Sequence, residues 1–479
     1  MGKLFKKHII LKLSLLLLLL TIFFAPKLLQ IPMCKNYIVQ KVAKKLASSI
    51  NVDAVQLSWL GPQTLKNVIF ANKDVDVSFQ SYTVSTNIIN FFHNLGLQIN
   101  NLPSNIIIKK ANVSLHAAKL PRADFTDVDL LFYRSILTNE MTIKTKGHSK
   151  ADQESGIFNI DATINKQKYD INAILEKFPV ILIDRFLQKQ DLFTNLLGPQ
   201  MNLKITTQIS GDSGPLIVDL SSTNMQAFAS AIIFQDKISL KEPFIATLKN
   251  ISTPLLPNIF AKNPIVLRLS NKNFSLPIRP FDLTKINVDY GMLDMGIISC
   301  DNVADLSSLM EMVKSNDKQV DIWFSPIEFS IKNSVLSIQR TDMLINYKMD
   351  ICLWGDYYLA DTKINMNLGL TAQALYAAFK IYGLSEDFVI KIPLSGTIKN
   401  IKADTRLATS KITTLMAAKV IKKGGIVGSI IGGIAHGATK GDEGVPPPKR
   451  PFPWEGKVDT PTPPLEEDNK VPQIPFNIF

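Results

Sequence analysis

The chain of 479 residues has only three cysteines, Cys34, Cys300 and Cys352, far apart in sequence. That excludes a disulfide scaffold and any C-x-x-C metal or redox unit. Its five histidines never stand in H-E-x-x-H or H-x-x-x-H spacing, which argues against a zinc hydrolase. No P-loop and no dinucleotide-binding glycine fingerprint is present. No cluster of carboxylates suggests a glycosidase or metal pair; Asp442 and Glu443 sit together in a proline-rich tail. Charged residues are 20% of the chain, and the basic ones are dispersed rather than interleaved with aromatics, so no nucleic-acid platform is expected. These absences imply no cofactor, no metal and no catalytic residue.

Apolar residues make up 46%, enough for a folded core without a staple. The net charge of +12 suits anionic lipid surfaces as well as nucleic acid. The N-terminus discriminates between them. Lys3, Lys6 and Lys7 precede an apolar run from Ile9 to Ala25 that contains six consecutive leucines, Leu15–Leu20. Seventeen residues span roughly 25 Å as a helix, slightly short of a ~30 Å hydrocarbon core. Lys12 and Lys27 can snorkel to the two surfaces. A single-pass anchor over residues 9–29 is expected, with Ile9, Leu13, Leu15, Leu20, Phe23 and Phe24 facing lipid. Residues 1–8 stay cytoplasmic by the positive-inside rule. Cleavage after Ala25 is disfavoured by Phe23 and Pro26, and Ile31-Pro32-Met33 is no lipobox for Cys34.

Cys34 to Ser49 predicts an amphipathic helix, with Ile38, Val39, Val42, Ala43, Leu46 and Ala47 on one face and Lys41, Lys44 and Lys45 on the other. It reads as a cap on the following β-domain, or as a basic helix lying on the membrane. From Val52 the period becomes two. Val75–Phe79, Phe158–Ile164, Leu203–Ile209, Ile345–Leu353 and Ile364–Leu370 alternate apolar and polar residues, as half-buried strands do. Helices are expected over Val180–Leu197, Thr371–Tyr382 and Leu407–Lys422. Leu203–Ile209 runs into Gly211-Asp212-Ser213-Gly214-Pro215, which reads as a hairpin turn. That pentapeptide is similar to the serine segment of chymotrypsin-like proteases. It lacks the second glycine after serine, and no histidine stands in a catalytic context.

The domain reading is residues 30–170 for a helix and first β-part, and 171–423 for a second β-part with interrupting helices. Residues 424–440 follow as a glycine-rich segment, where Gly424, Gly428 and Gly432 form a small-residue row or a hinge. Residues 441–479 hold ten of the 26 prolines, with seven acids against four bases. They read as a disordered tail, whose Pro451-Phe452-Pro453-Trp454 docks on a partner or back on its own body.

The expected fold class is mainly β with a few helices. An N-terminal transmembrane helix leads into an elongated, curved antiparallel β-sheet groove, a half-barrel. A one-faced sheet curled into a trough holds acyl chains inside and leaves headgroups at the seam. Ile345, Tyr347, Met349, Ile351, Leu353, Ile364, Met366 and Leu368 are the candidate lining residues. Charge introduced at Met349 or Ile351 is expected to block such a trough.

Several segments resemble AsmA-like proteins. These are the basic start and leucine run, the helix Lys35–Ser49, Leu57-Ser58-Trp59-Leu60-Gly61-Pro62 and Leu65-Lys66-Asn67-Val68. Later come Phe329-Ser330-Ile331-Lys332-Asn333, Asp361–Gly369 and Ile392-Pro393-Leu394-Ser395-Gly396-Thr397-Ile398-Lys399-Asn400. The glycine-rich run and Pro-Phe-Pro-Trp are similar to AsmA-related proteins of chlamydia-like bacteria. The resemblance implies an inner-membrane anchor, a periplasmic β-groove of the bridge-like lipid-transfer type, and phospholipid movement toward the outer membrane. It implies phospholipids and the inner membrane as partners, and no catalysis. The rival expectation is an envelope scaffold whose sheet edges augment strands of outer-membrane protein clients.

Overall fold

The structure, a computed structural model, describes residues 26–27, 30–45, 47–86, 105–116, 123–135, 138, 140–165, 168–188, 191–249, 259–301, 319–397, 400–424 and 441–460. The expected anchor residues Ile9, Leu13, Leu15, Leu20, Phe23 and Phe24 lie outside them, as does nearly all of the glycine-rich segment. Among the described residues no helix is long and apolar enough to cross a membrane.

The chain forms two compact units. The first runs to Phe228 and includes Ile232–Gln235; the second holds Ala229–Ala231 and everything from Asp236. The expected boundary at residue 170 is corrected. Strands Glu154–Ile164 and Lys168–Pro179 pair from Ile157↔Glu176 to Ile164↔Tyr169 across that point. A paired hairpin cannot be a linker.

Unit 1 begins with α1 (Pro32–Lys45), followed by β1 (Ser49–Gln56), β2 (Gln63–Ala71), β3 (Val75–Val84), β4 (Asn105–Leu115), β5 (Ala123–Arg134), β6 (Met141–Ala151), β7 (Glu154–Ile164) and β8 (Lys168–Pro179). Two short helices follow, α2 (Val180–Phe186) and α3 (Leu192–Leu197), then β9 (Gln200–Ser210), β10 (Ser213–Ser222) and β11 (Met225–Phe234). From β1 to β10 each strand pairs antiparallel with the next. Helix α1 caps the β1 edge: Lys35 Nζ donates to Val52 O (2.7 Å) and Asp53 O (2.9 Å). Gly211 and Asp212 form the β9–β10 turn, with Ser213 opposite Ser210, so the protease-like segment is a hairpin turn.

The helix expected over Val180–Leu197 is two helices. The buried Asp184 carboxylate accepts from Phe193 N, Thr194 N and Thr194 Oγ1 at 2.7–2.8 Å. By satisfying the first free N–H groups of α3 it folds the chain back at Gln188 and Asp191, both at positive φ.

Unit 2 starts with β12 (Lys237–Leu240), β13 (Phe244–Leu248), β14 (Ile259–Ala261), β15 (Ile265–Leu269), β16 (Leu276–Pro277) and β17 (Val288–Asp294). Next come β18 (Ile297–Asp301), β19 (Gln319–Phe324), β20 (Ile327–Lys332), β21 (Val335–Ile345), β22 (Met349–Tyr358) and β23 (Lys363–Thr371). Helix α4 (Ala372–Phe379), β24 (Val389–Thr397), β25 (Asn400–Ala403) and α5 (Arg406–Gly424) complete it. Thr371 Oγ1 accepts from Ala374 N (3.2 Å) and N-caps α4.

The sheet of unit 2 forks at β21. Its first half pairs with β20, and through it with β17, β15 and β13. Its second half pairs with β19, and through it with β18 and β14. The fork lies at the irregularity between Ile338 and Thr341. Residues of both branches then meet in one core. Leu248, Ile265 and Leu293 join Ile259, Ile298 and Val320 around Ile345, Met349 and Ile351, with Ala374 of α4 in the same cluster. A second cluster packs α4 and α5 on β24 through Leu375, Phe388, Ile390, Ala408 and Leu415.

The proline-rich segment is also corrected, for residues 441–460. They form a strap over unit 2 rather than a disordered tail. Phe452 and Trp454 stack at 4.8 Å and bury Leu344, and Val445 packs with Cys352, Trp354 and Val389. Asp442 accepts from Lys391 N (2.7 Å) and from Lys411 Nζ (3.0 Å). Exposed apolar side chains on the other face of β21 and β22 needed a cover, and the aromatic run supplies it.

Candidate functional site

In unit 1 the register brings apolar side chains into rows across ten strands. One row is Val55, Leu65, Tyr82, Ile108, Leu130, Thr145, Ile160, Ala173, Ile205 and Val218, each directly opposite the next. Ten strands at ~4.8 Å spacing extend it over roughly 45 Å. Every member is half-buried: neighbours flank it, but no helix or second sheet covers it among the described residues. A parallel row runs Val84, Ile106, Phe132, Ile143, Ala162, Ile171, Thr207 and Leu216.

A crease preserves this face where simple alternation fails. Strand β6 is regular, and Leu130 pairs with Thr145 while Phe125 pairs with Ser149, so both lie on its odd-numbered face. Phe125 and Leu130 are five positions apart, so the strand must switch parity between them. It does so at Asp127, at φ 50°, with its N–H held by Asn112 Oδ1 (3.1 Å). Lys110 at φ 49° and Asn67 at φ 48° make the same switch in β4 and β2. Lys177 at φ 50° does so in β8, its N–H on Asn202 Oδ1 (2.7 Å). Such bulges bend and twist a strand. Their side chains belong to the opposite, polar face, where Lys144 and Asp161 pair at 2.7 Å.

Among the described residues the apolar face is covered at its margins, where Val180 of α2 and Leu197 of α3 cluster with Leu175, Leu203 and Leu220 of β8–β10. Leu182 of α2 packs on Ala123 and Ala151 at one strand end. At the other, Leu57 packs with Val55, Trp59, Leu65 and Tyr82. Between them, Phe125 and Phe158 meet edge-on at 6.0 Å, and the Phe158 ring reaches over Gly147. A Cβ at Gly147 would stand 2.9 Å from that ring, so glycine permits the close approach.

The lining residues expected from the sequence are all in unit 2, and their environment differs from the expected one. Ile345–Leu353 is a hairpin rather than one strand: Asn346 and Tyr347 turn at positive φ, and Ile345 pairs with Met349. Ile345, Met349 and Ile351 are 1–5% exposed inside the forked core. Leu353, Met366 and Leu368 are half-buried and Ile364 buried on the same face of β22 and β23. Tyr347 leaves the row and donates its hydroxyl to Asp321 Oδ2 (3.0 Å). The sheet fork and α4 close over this face, so the core claims most of these side chains. The uncovered row in unit 1 escaped sequence reading because four of its strands change parity at a polar residue.

Two other places gather polar groups. A cavity of about 710 Å³ opens on the polar face of unit 1 between His148, Glu176, Lys177, Lys204 and Asp219. It is the hollow left by the β8 bulge. The second lies beneath the strap. Arg340 grips Asp342 through Nε and Nη2 at 2.6–3.2 Å and donates Nη1 to Pro446 O (3.0 Å). Burial, and then the nearby Asp342 charge, push the Asp350 carboxyl up to about 8, and its Oδ1 is buried without a hydrogen-bond partner. Burial pushes the Cys352 thiol up to about 12, so it is no ready nucleophile. Among the described residues no group of three His, Cys, Asp or Glu side chains is placed to hold a metal.

The Asp350 carboxyl gives unit 2 a pH dependence. An unfolded aspartate ionises near 4. Between about pH 4 and 8 the unfolded chain has therefore lost a proton that the folded unit keeps, and stability falls as pH rises. Asp350→Asn should remove that fall, stabilising unit 2 by a few kcal/mol at pH 8 and negligibly at pH 4. Urea midpoints from pH 4 to 8 test it; parallel profiles for the two proteins would sink it.

Compared with known proteins, the chain matches no family model, no curated protein and no solved structure.

Proposed function

We propose that the protein is a non-enzymatic, inner-membrane-anchored lipid-binding protein whose unit 1 holds phospholipid acyl chains along its apolar face. The observation that supports this most directly is the half-exposed apolar row from Val55 to Val218. Each methylene laid on such a surface gains about 0.8 kcal/mol when fully removed from water. A row of similar shallow contacts holds a chain without a single deep well, which suits movement along the sheet. Headgroups remain at the open side. The leucine run and the basic N-terminus support an anchored body outside the cytoplasm, and phospholipid transfer toward the outer membrane is the process this arrangement serves.

The test is photocrosslinking of the full chain in cells. A photoreactive residue at Ile108, Ile160 or Ile205 should capture phospholipid acyl chains, and one at the outward Asn159 should not. Ile160→Asp should abolish capture at Ile108 and Ile205 without unfolding unit 1, because residue 160 is half-buried. Equal capture on both faces, or none on either, would rule the reading out. Capture of unfolded β-barrel proteins instead would favour the assembly-factor alternative. That alternative has the exposed edge strand Asn400–Ala403 to offer, though only four residues long.

A further inference from the structure

The Leu57–Pro62 loop joins β1 to β2 at the end of the apolar row. It is rigidly built. Fully buried Gln63 accepts from Ser58 N (2.9 Å), and its Nε2 lies 2.7 Å from Ser58 O and Gly61 O and 2.8 Å from Thr86 O. Gly61 N donates to Ser58 Oγ (3.1 Å). Yet this fixed loop presents Leu60 at 91% exposure, while Leu57 beside it is buried against Val55, Leu65 and Tyr82. A preorganised loop that holds a leucine in water implies a partner for that leucine.

The same loop is tied to the chain just after the leucine run. Gln30 Nε2 donates to Leu57 O (3.0 Å), and Gln30 is five positions beyond Ala25. Five residues reach at most roughly 17 Å. A membrane that holds the leucine run therefore lies close to Leu60. The neighbouring surface of α1 matches such a membrane. Ile31, Met33 and Tyr37 are 47–84% exposed, Lys41 and Lys44 point to solvent, and no acid occurs between Pro26 and Val52. Apolar tips among unopposed lysines complement an anionic bilayer surface.

We infer that the Leu57–Pro62 loop and the start of α1 form a membrane-inserting lip that seats on an anionic phospholipid surface and opens the Val55–Tyr82 end of the apolar row to it. The lip rests on the lipid-holding reading of unit 1, and it adds where lipids board. Leu60 enters the interface, α1 lysines meet headgroups, and an acyl chain leaving the leaflet meets Leu57 and Tyr82 first.

The experiment uses the full chain with Cys34→Ser, so that the buried Cys300 and Cys352 leave a new cysteine as the labelling site. Leu60→Cys carries an environment-sensitive fluorophore, and the protein is reconstituted in phosphatidylethanolamine–phosphatidylglycerol vesicles with acyl-chain nitroxide lipids. The label at 60 should shift to the blue and be quenched; a label at Ile69→Cys, on the polar side of β2, should stay aqueous. Identical aqueous emission at both sites overturns the lip. Leu60→Asp should slow acyl loading from vesicles about tenfold and leave loading from detergent micelles unchanged. Equal slowing from both sources overturns it too. A label that inserts while Ile108 captures no acyl chain upholds the lip and removes the conduit. Capture at Ile108 with an aqueous label at 60 removes the lip alone.

Discussion

Met349→Asp should cost unit 2 roughly 3–5 kcal/mol, the scale for an uncompensated charge in a packed interior. Met349 is 1% exposed, with Ile345 opposite it and Ile265, Ile298 and Ala374 in the same cluster. A domain stable by 5–15 kcal/mol loses much of its margin to such a change. Ile160→Asp, on the uncovered row of unit 1, should leave its unit folded while ending acyl capture. Tryptophan fluorescence in urea separates the two, since Trp323, Trp354 and Trp454 report unit 2 and Trp59 reports unit 1. A wild-type midpoint for Met349→Asp would mean that Met349 lines open surface and that unit 2 presents an apolar face of its own. The contrast matters because both residues sit in strands of similar alternation. Only what lies above the strand distinguishes a core position from a lipid-facing one.

Trp454→Ala should release the strap. The indole is 2% exposed, stacks on Phe452 and covers Leu344, itself fully buried. Truncating a buried tryptophan to alanine costs about 3 kcal/mol or more. That corresponds to roughly a hundredfold larger population with the strap open. Tryptic cleavage after Lys457 reads this population when opening is fast relative to cutting. Cleavage at the wild-type rate would mean that the polar contacts hold the strap alone: Asp442 on Lys391 and Lys411, Pro446 O on Arg340, and Arg450 on Glu386 at 3.2 Å. Opening the strap also exposes Arg340, Asp342 and Asp350 to water. The variant should therefore lose part of the pH dependence that buried Asp350 gives unit 2.

Regular strands were legible from their residues. Val75–Phe79, Phe158–Ile164, Leu203–Ile209 and Ile364–Leu370 all lie within observed strands, because each alternates without a bulge. Helix α4 was legible from its alanines and from Gly383 beyond it, and α5 from its pattern. The creased strands were harder. In Asn105–Leu115 the residues of the two apolar rows fall at 106 and 108, with Ile107 between them, and apolar residues resume at 111, 113 and 115, so a period-two count breaks at Lys110. The signal was nevertheless present: a polar pair in mid-strand, after which apolar residues resume with opposite parity. The hairpin hidden in Ile345–Leu353 fails for the reverse reason. A three-residue turn, Asn346 to Lys348, preserves odd-numbered spacing, so two strands mimic one.

Composition and pattern by themselves determined that this chain builds one-faced antiparallel strands, interrupted by a few helices, behind a basic leucine-rich start. Those properties are local: side-chain period, turn residues and charge lie within a few positions of one another. Which apolar face stays open was decided by tertiary structure alone. The fork at β21 folds one branch over another and fills unit 2, while the Val55–Val218 row of unit 1 meets no covering helix or sheet among the described residues. The fate of the aromatic strap was likewise a matter of what surface waited for it. A side chain's period records which way it points; only the whole fold supplies, or withholds, what it packs against.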